Sequence, residues 1–375
     1  LALAVTDSEG NVYNYTVTGF SSHEYAAEHI YTATLDYTDT STEYNKVSVF
    51  TNGIAGTAWE NGSGNANDPY LIESADHLKY LVEQVNNGTD YTGTHFKLTT
   101  DIHVTADEWI PIGTSNTAFF NGTFDGGGHT ISGNLKTTSS PYHFGFFGYT
   151  KNATINNIHI AANFPIVINS NQTASYNYGG VIGYTEETQV INCSYTGSMN
   201  FTLEIPDDKA YTFVGKICGR STKNSSFLHC YANGDLTATT SSASVNSNCS
   251  FAGIAGFLSS STVSKCSNNG IIEFKLGSGS VGGIVGRCYM STINYCYNRG
   301  TIAGGEHIGG LVAVGTDENS TNISIIHTSH NLSSNINPEY STYKGRLVGG
   351  IIHIIHKPII PNCCTSVEVN GIKSD

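Results

Sequence analysis

Apolar residues in this chain fall in short bursts bounded by glycine, and one burst keeps returning. It reads Phe144-Gly145-Phe146-Phe147-Gly148, then Gly179-Gly180-Val181-Ile182-Gly183, Gly215-Lys216-Ile217-Cys218-Gly219, Ala252-Gly253-Ile254-Ala255-Gly256 and Gly282-Gly283-Ile284-Val285-Gly286. Two looser copies follow, Gly309-Gly310-Leu311-Val312-Ala313 and Gly349-Gly350-Ile351-Ile352-His353. Their second positions lie 35, 36, 37, 30, 27 and 40 residues apart. A unit of this length cannot bury its own apolar face and must stack on its neighbours, so the pattern predicts an all-β solenoid.

A second mark follows each phrase by about ten residues: Cys193, Cys230, Cys266 and Cys296, with Ile158 in the first copy, Thr328 in the sixth and Cys363 or Cys364 in the last. Stacked strands place equivalent residues about 4.8 Å apart. These positions are therefore expected to form a ladder, sulfur inward, on a strand that alternates apolar and polar residues as in Ile191-Asn192-Cys193-Ser194. Cysteines spaced one per coil in apolar company lack the paired spacing of a metal site, and nine of them complete no disulfide framework. They read as a column of buried thiols, and no metal or cofactor is expected.

Ahead of the repeats, period-two runs at Leu1 to Val5, Val12 to Val17, Ile30 to Tyr37 and Lys46 to Phe50 predict antiparallel strands over residues 1–56. Residues 57–143 open with a turn-rich junction from Trp59. One helix follows, with Ser74 as N-cap, Leu78, Leu81, Val82 and Val85 on one stripe, and Gly88 just past its end. Such a helix suits the open end of a solenoid, which otherwise exposes a core cross-section. Strand signals resume at Phe96 to Ile102, Trp109 to Gly113 and Phe119 to Ile131, and residues 144–375 carry the repeats. Gly122 to Gly133 is rich in glycine, but no helix pattern or Lys-Ser/Thr pair follows, so Asp125 to Gly128 reads as a corner between coil strands.

Composition narrows the function classes. The chain has 41 glycines, 22 tyrosines and only 13% charged residues, with a net charge of −13. Residues 1–212 hold 6 Lys/Arg against 22 Asp/Glu, and residues 213–375 hold 11 against 8. The basic residues are scattered, so nucleic acid is not an expected partner. No run approaches a membrane span.

The glycine phrase, with Asn192-Cys193-Ser194-Tyr195 and Tyr295-Cys296-Tyr297-Asn298-Arg299-Gly300 after it and the entry from Trp59 to Ile72, resembles GLUG-motif repeat proteins of bacterial surfaces. The resemblance implies a right-handed parallel β-helix, an adhesin-like role and an extracellular location at the cell surface or outer membrane. Gly10-Asn11-Val12-Tyr13-Asn14-Tyr15 and Ile30-Tyr31-Thr32-Ala33-Thr34-Leu35 are similar to the closing strands of a fimbrillin-like domain. Lys216, Ala313 and His353 depart from the motif glycines, which marks irregular coils.

No catalytic residues are assigned from the sequence. A β-helix glycosidase needs two carboxylates across one bond, and the pairs Asp207-Asp208 and Asp317-Glu318 sit in polar loops. The residues flanking the cysteines form the candidate ligand-binding face: His229, Lys265, Tyr295 and His327 before them, Tyr231 and Tyr297 after them. Stacked rings with polar neighbours suit a sugar chain or a peptide. The first reading is a non-enzymatic adhesin or fimbria-associated protein that binds host or matrix glycans or proteins and other surface subunits. A secreted polysaccharide lyase or glycoside hydrolase and a structural spacer are the alternatives.

Overall fold

The computed structural model describes residues 56–105, 108–137, 139–169, 175–204, 210–240, 248–275, 279–315 and 329–332, together with the backbone of short strands elsewhere. Ala2–Thr6 and Val12–Thr16 pair antiparallel, as their alternation predicts. Val47–Phe50 does not join them. It pairs parallel with Asp101–Val104, so this stretch is a rung of the solenoid and not a hairpin strand. The expected strand Ile30 to Tyr37 and most of residues 317–343, a stretch rich in Asn and Ser inserted between the sixth and last glycine phrases, lie outside the described residues.

Every ladder from the third strand onward is parallel, and the strands stack into four walls. The first wall comprises strands entering the glycine phrase, such as Ser175–Gly179 and Tyr211–Gly215. The second comprises strands leaving it, from Phe147–Lys151 to Ile352–Ile355. The third runs from Tyr70–Ile72 to Ile325–His327, and the fourth is a 15-stranded network that includes His159–Asn169. Together they form a parallel β-helix. Second-wall partners Phe147, Ile182, Cys218, Ala255, Val285, Val312 and Ile352 reproduce the sequence steps of 35, 36, 37, 30, 27 and 40 residues.

The phrase needs glycine because the chain folds back within contact of itself. A Cβ on Gly219 would sit 2.4 Å from the backbone nitrogen of Tyr178 and 2.6 Å from the carbonyl of Gly183, with no flexible atom to yield. The interior is filled by inward aliphatics and rings, among them Ile182, Val190, Phe227, Ile254 and Ile293, all without exposed surface. The helix Ala75–Asn86 begins where Ser74 accepts from the His77 amide at 3.1 Å, and it buries Leu78, Leu81, Val82 and Val85. That stripe joins the central core beside the terminal rung Tyr70–Ile72, so the helix covers the end of the stack.

Cys193, Cys230, Cys266 and Cys296 stack in single file, buried and free. They sit at a corner between the third and fourth walls rather than inside a strand: the residue before each, Asn192, His229, Lys265 or Tyr295, has φ between 53° and 55°. Each sulfur donates to a third-wall carbonyl of the preceding coil, as Cys230 does to Val190 at 3.5 Å. Burial pushes the Cys193 and Cys266 thiols well up. In the sixth coil the ladder position belongs to Ser329, whose Oγ accepts from the Cys296 amide at 3.0 Å. Thr328, the position counted from the sequence, lies outside the described residues; the insertion before it breaks the count from the glycine phrase. Cys364 pairs with His330 and stands one row past the ladder; Cys363 lies outside the described residues.

Lys216 has a structural reason. The glycines at its row pack against a fourth-wall side chain: a Cβ on Gly180 would be 2.4 Å from the Tyr195 ring, and one on Gly253 2.5 Å from Asn268. In the coil of Lys216 the fourth wall offers only Ala232, which leaves room for the lysine chain. Its Nζ reaches one coil onward and donates to Asn268 Oδ1 at 2.8 Å.

Candidate functional site

The corner proposed from sequence is a convex ridge. His229, Lys265 and Tyr295 occupy its crest, their left-handed backbone turning each side chain to solvent. Tyr231, 42% exposed, and half-buried Tyr297 share the next row, but Ser267 stands between them. Tyr297 meets the His330 ring at 5.5 Å, and the Arg299 guanidinium lies 5.9 Å over it. His327 is not part of the ridge. It pairs with Asn294 inside the third wall, displaced by the same slip that moved the ladder to Ser329. The expected flat face is thus an edge, which can enclose little of a ligand.

A better enclosed surface lies where the first and second walls meet. The residue directly after the last glycine of each phrase is large: Tyr149, Tyr184, Arg220, Phe257 and Arg287, paired rung to rung. Across from them the first wall presents His143, Asn177, Phe213, Ser250 and Ser280 in one row. Side chains of the two walls touch. His143 lies 5.1 Å from Tyr184, Phe213 lies 4.9 Å from Phe257, and Arg287 Nε donates to Ser280 Oγ at 3.2 Å. Tyr149 and Phe213 are buried, yet neither belongs to the central core, while Tyr184, Arg220 and Phe257 are half-buried. Outward side chains that meet across two walls define a re-entrant angle. The five rungs of the strip span about 19 Å at about 4.8 Å per rung.

Its chemistry is aromatic and cationic. The Arg220 guanidinium lies 5.1 Å from the Phe257 ring, 5.5 Å from Phe213 and 5.7 Å from Tyr184, a cation held by three π faces. Its Nε has no hydrogen-bond partner, and neither has Oδ1 of fully buried Asn177. The Asn177 amide Nδ2 lies 3.0 Å from His143 Nδ1. Burial, aided by the Arg220 charge, pulls the His143 pKa down to about 4, so the ring is neutral and Nδ1 accepts. At Glu186 burial opposes ionisation, but Lys223 and Tyr184, donating at 2.8 and 3.1 Å, outweigh it and hold the carboxyl below its usual range.

The cysteine pattern does not point to this strip. The signal was the single large residue following each phrase. Among the described residues no cluster of His, Cys, Asp and Glu could hold a metal ion, and no helix is long and apolar enough to cross a membrane.

Comparison with known proteins gives limited likeness. No family model matches the chain, so the GLUG-repeat resemblance rests on its motif residues. A protein provisionally named a Gly-rich membrane protein, from Evansella cellulosilytica, is 31% identical over 110 residues, 28% of this chain. The chain spans 12% of that protein's length. A crystal structure from Bacteroides ovatus, provisionally named an immunoglobulin A1 protease, superposes with a TM-score of 0.48 at 19% identity, covering 84% of this chain and 82% of its own.

Proposed function

We propose that this chain is a non-enzymatic bacterial cell-surface protein, adhesin or fimbria-associated, whose β-helix carries an extracellular ligand along its side. The observation behind the reading is the strip of half-buried rings and guanidinium groups outside the core. A fold that needed only to be stiff gains nothing from leaving Tyr184, Arg220 and Phe257 half-exposed in a re-entrant angle. A carboxylate pair of the kind glycosidases use is missing from the described strip: Glu186, beside Tyr184, is committed to Lys223 and Tyr184.

The test is binding of the whole chain to arrays of host and matrix glycans and of matrix proteins, compared with a Tyr184→Ala/Phe257→Ala variant. The reading expects binding that the variant loses while keeping its fold. Product release from the same glycans, or binding that the variant retains in full, would defeat it.

A further inference from the structure

The strip is also selective for charge. It gathers Arg220 and Arg287, with Lys151 at a neighbouring strand end and Lys223 balanced by Glu186, in a chain whose net charge is −13. A cluster of this sign on an acidic protein would repel the rest of the molecule's counterparts and attract anions locally. Arg220 and Arg287 stand two rungs apart with the Phe257 ring between them. Burial of Arg287 lowers its pKa, the mark of a guanidinium with a depleted water shell. Such a cation gains more from an incoming anion than a hydrated lysine does.

Two buried polar atoms lack partners. Arg220 Nε is a donor without an acceptor, and Asn177 Oδ1 an acceptor without a donor. A ligand's acidic groups can reach the half-exposed guanidinium of Arg220, whereas Asn177, without exposed surface, stays out of contact. The ring faces add a further requirement. Tyr149 and Tyr184 lie with centroids 4.7 Å apart, and Phe257 follows two rungs on. This spacing is close to the length of one sugar ring in an extended polysaccharide, so successive residues can track successive rungs.

We propose that the strip is a binding site for an extended anionic polysaccharide, with its acidic groups on Arg220 and Arg287 and its sugars along the half-exposed sides of Tyr184 and Phe257. This rests on the reading of the strip as the binding face. An acidic peptide advances about 3.3 Å per residue and falls out of step with the rungs, whereas a sugar chain keeps step with them, which favours the polysaccharide.

The test uses the full chain with polygalacturonate and chondroitin sulfate, carboxyl-reduced polygalacturonate as the neutral counterpart, and polyglutamate as an acidic chain without sugar. The inference expects affinity for an acidic polysaccharide that weakens with salt and falls about tenfold or more in Arg220→Ala/Arg287→Ala. Arg220→Lys/Arg287→Lys should keep the salt dependence at reduced affinity, with unchanged circular dichroism. Equal binding of the carboxyl-reduced polymer, lost in Tyr184→Ala/Phe257→Ala, would overturn the charge selectivity and leave the binding face standing. Equal binding of polyglutamate, no binding of either acidic polysaccharide, or loss on His229→Ala/Lys265→Ala instead would overturn the proposal.

Discussion

Lys216 Nζ donates to Asn268 Oδ1 at 2.8 Å, and neither side chain has any exposed surface. Asn268 begins a buried amide ladder: its Nδ2 donates to Asn298 Oδ1 at 2.8 Å, and Asn298 Nδ2 donates to Asn331 Oδ1 at 2.9 Å. Because each amide points the same way, the first oxygen would be left over. Lys216 supplies the missing donor, and the gap at Ala232 lets it in. Burial, opposed by nearby Asp235, lowers its pKa to about 7.

Removing that donor should therefore be costly. Lys216→Met fills similar volume but orphans Asn268 Oδ1, an expected loss of about 1–3 kcal/mol in urea unfolding. The sign with pH follows from linkage. Between the folded pKa of about 7 and the unfolded 10.5, the unfolded chain holds the extra proton, so this lysine makes stability rise with pH across that window. The difference between wild type and Lys216→Met should grow by up to about 1.4 kcal/mol per pH unit there. A constant difference from pH 7 to pH 10 would contradict the assignment.

His143 works in the acid range. Its folded pKa of about 4 lies below the ordinary 6.5, so the unfolded chain binds more protons between them. Its contribution is complete above pH 6.5 and lost as pH falls toward 4. Substituting His143→Gln, which keeps an acceptor for Asn177, should flatten the stability profile in that window. An unchanged profile would place the histidine in water.

Glycine substitutions should separate crowding from backbone strain. Gly219→Ala drives a methyl into backbone on two sides and is expected to cost about 3 kcal/mol. At Gly93, with φ of 75° and nothing within 4 Å, alanine meets only the left-handed penalty of about 1–2 kcal/mol. Thermal melts of the two variants would show the order, and the reverse order would refute the fold-back explanation of the repeat.

Thiol chemistry reports on the column. Cys193, Cys230, Cys266 and Cys296 should resist alkylation in the native protein and react together on unfolding, because burial puts all four out of reach. Peptide mass mapping after labelling reads this directly. Labelling of any of the four at native stability would mean that the corner opens.

The rise of the solenoid was legible because its cause is local. A phrase that must fold back on itself needs glycine at fixed places, and those places reproduced the second-wall register residue for residue. The cysteine file was legible for a similar reason. Other features depend on partners far apart in sequence. Lys216 read as a flaw because its justification lies at Ala232 and Asn268. Nothing in His229, Lys265 or Tyr295 announces a left-handed corner; only Asn157 and Asn192 in the same column hint at it. His327 was misplaced because phase was carried across an insertion. The aromatic strip is hidden in the sequence because its halves sit on either side of the glycines, and only the bend brings them face to face.

The shortening of the step from 37 to 27 residues falls in one place. From the second wall through the third to the fourth, spacing hardly changes over the first five coils: Ile182, Val190 and Tyr195 in one, Val285, Ile293 and Asn298 in another. The difference is absorbed later, where Met199–Glu204 gives way to Ile302–Gly304 and the segment before the next first-wall strand shrinks. These segments lead directly into the row that holds Asn177 and Phe213. A lineage of such proteins can therefore lengthen, trim or exchange the borders of this outer strip while the stacking rules stay untouched, so the surface and foldability are free to evolve on separate clocks.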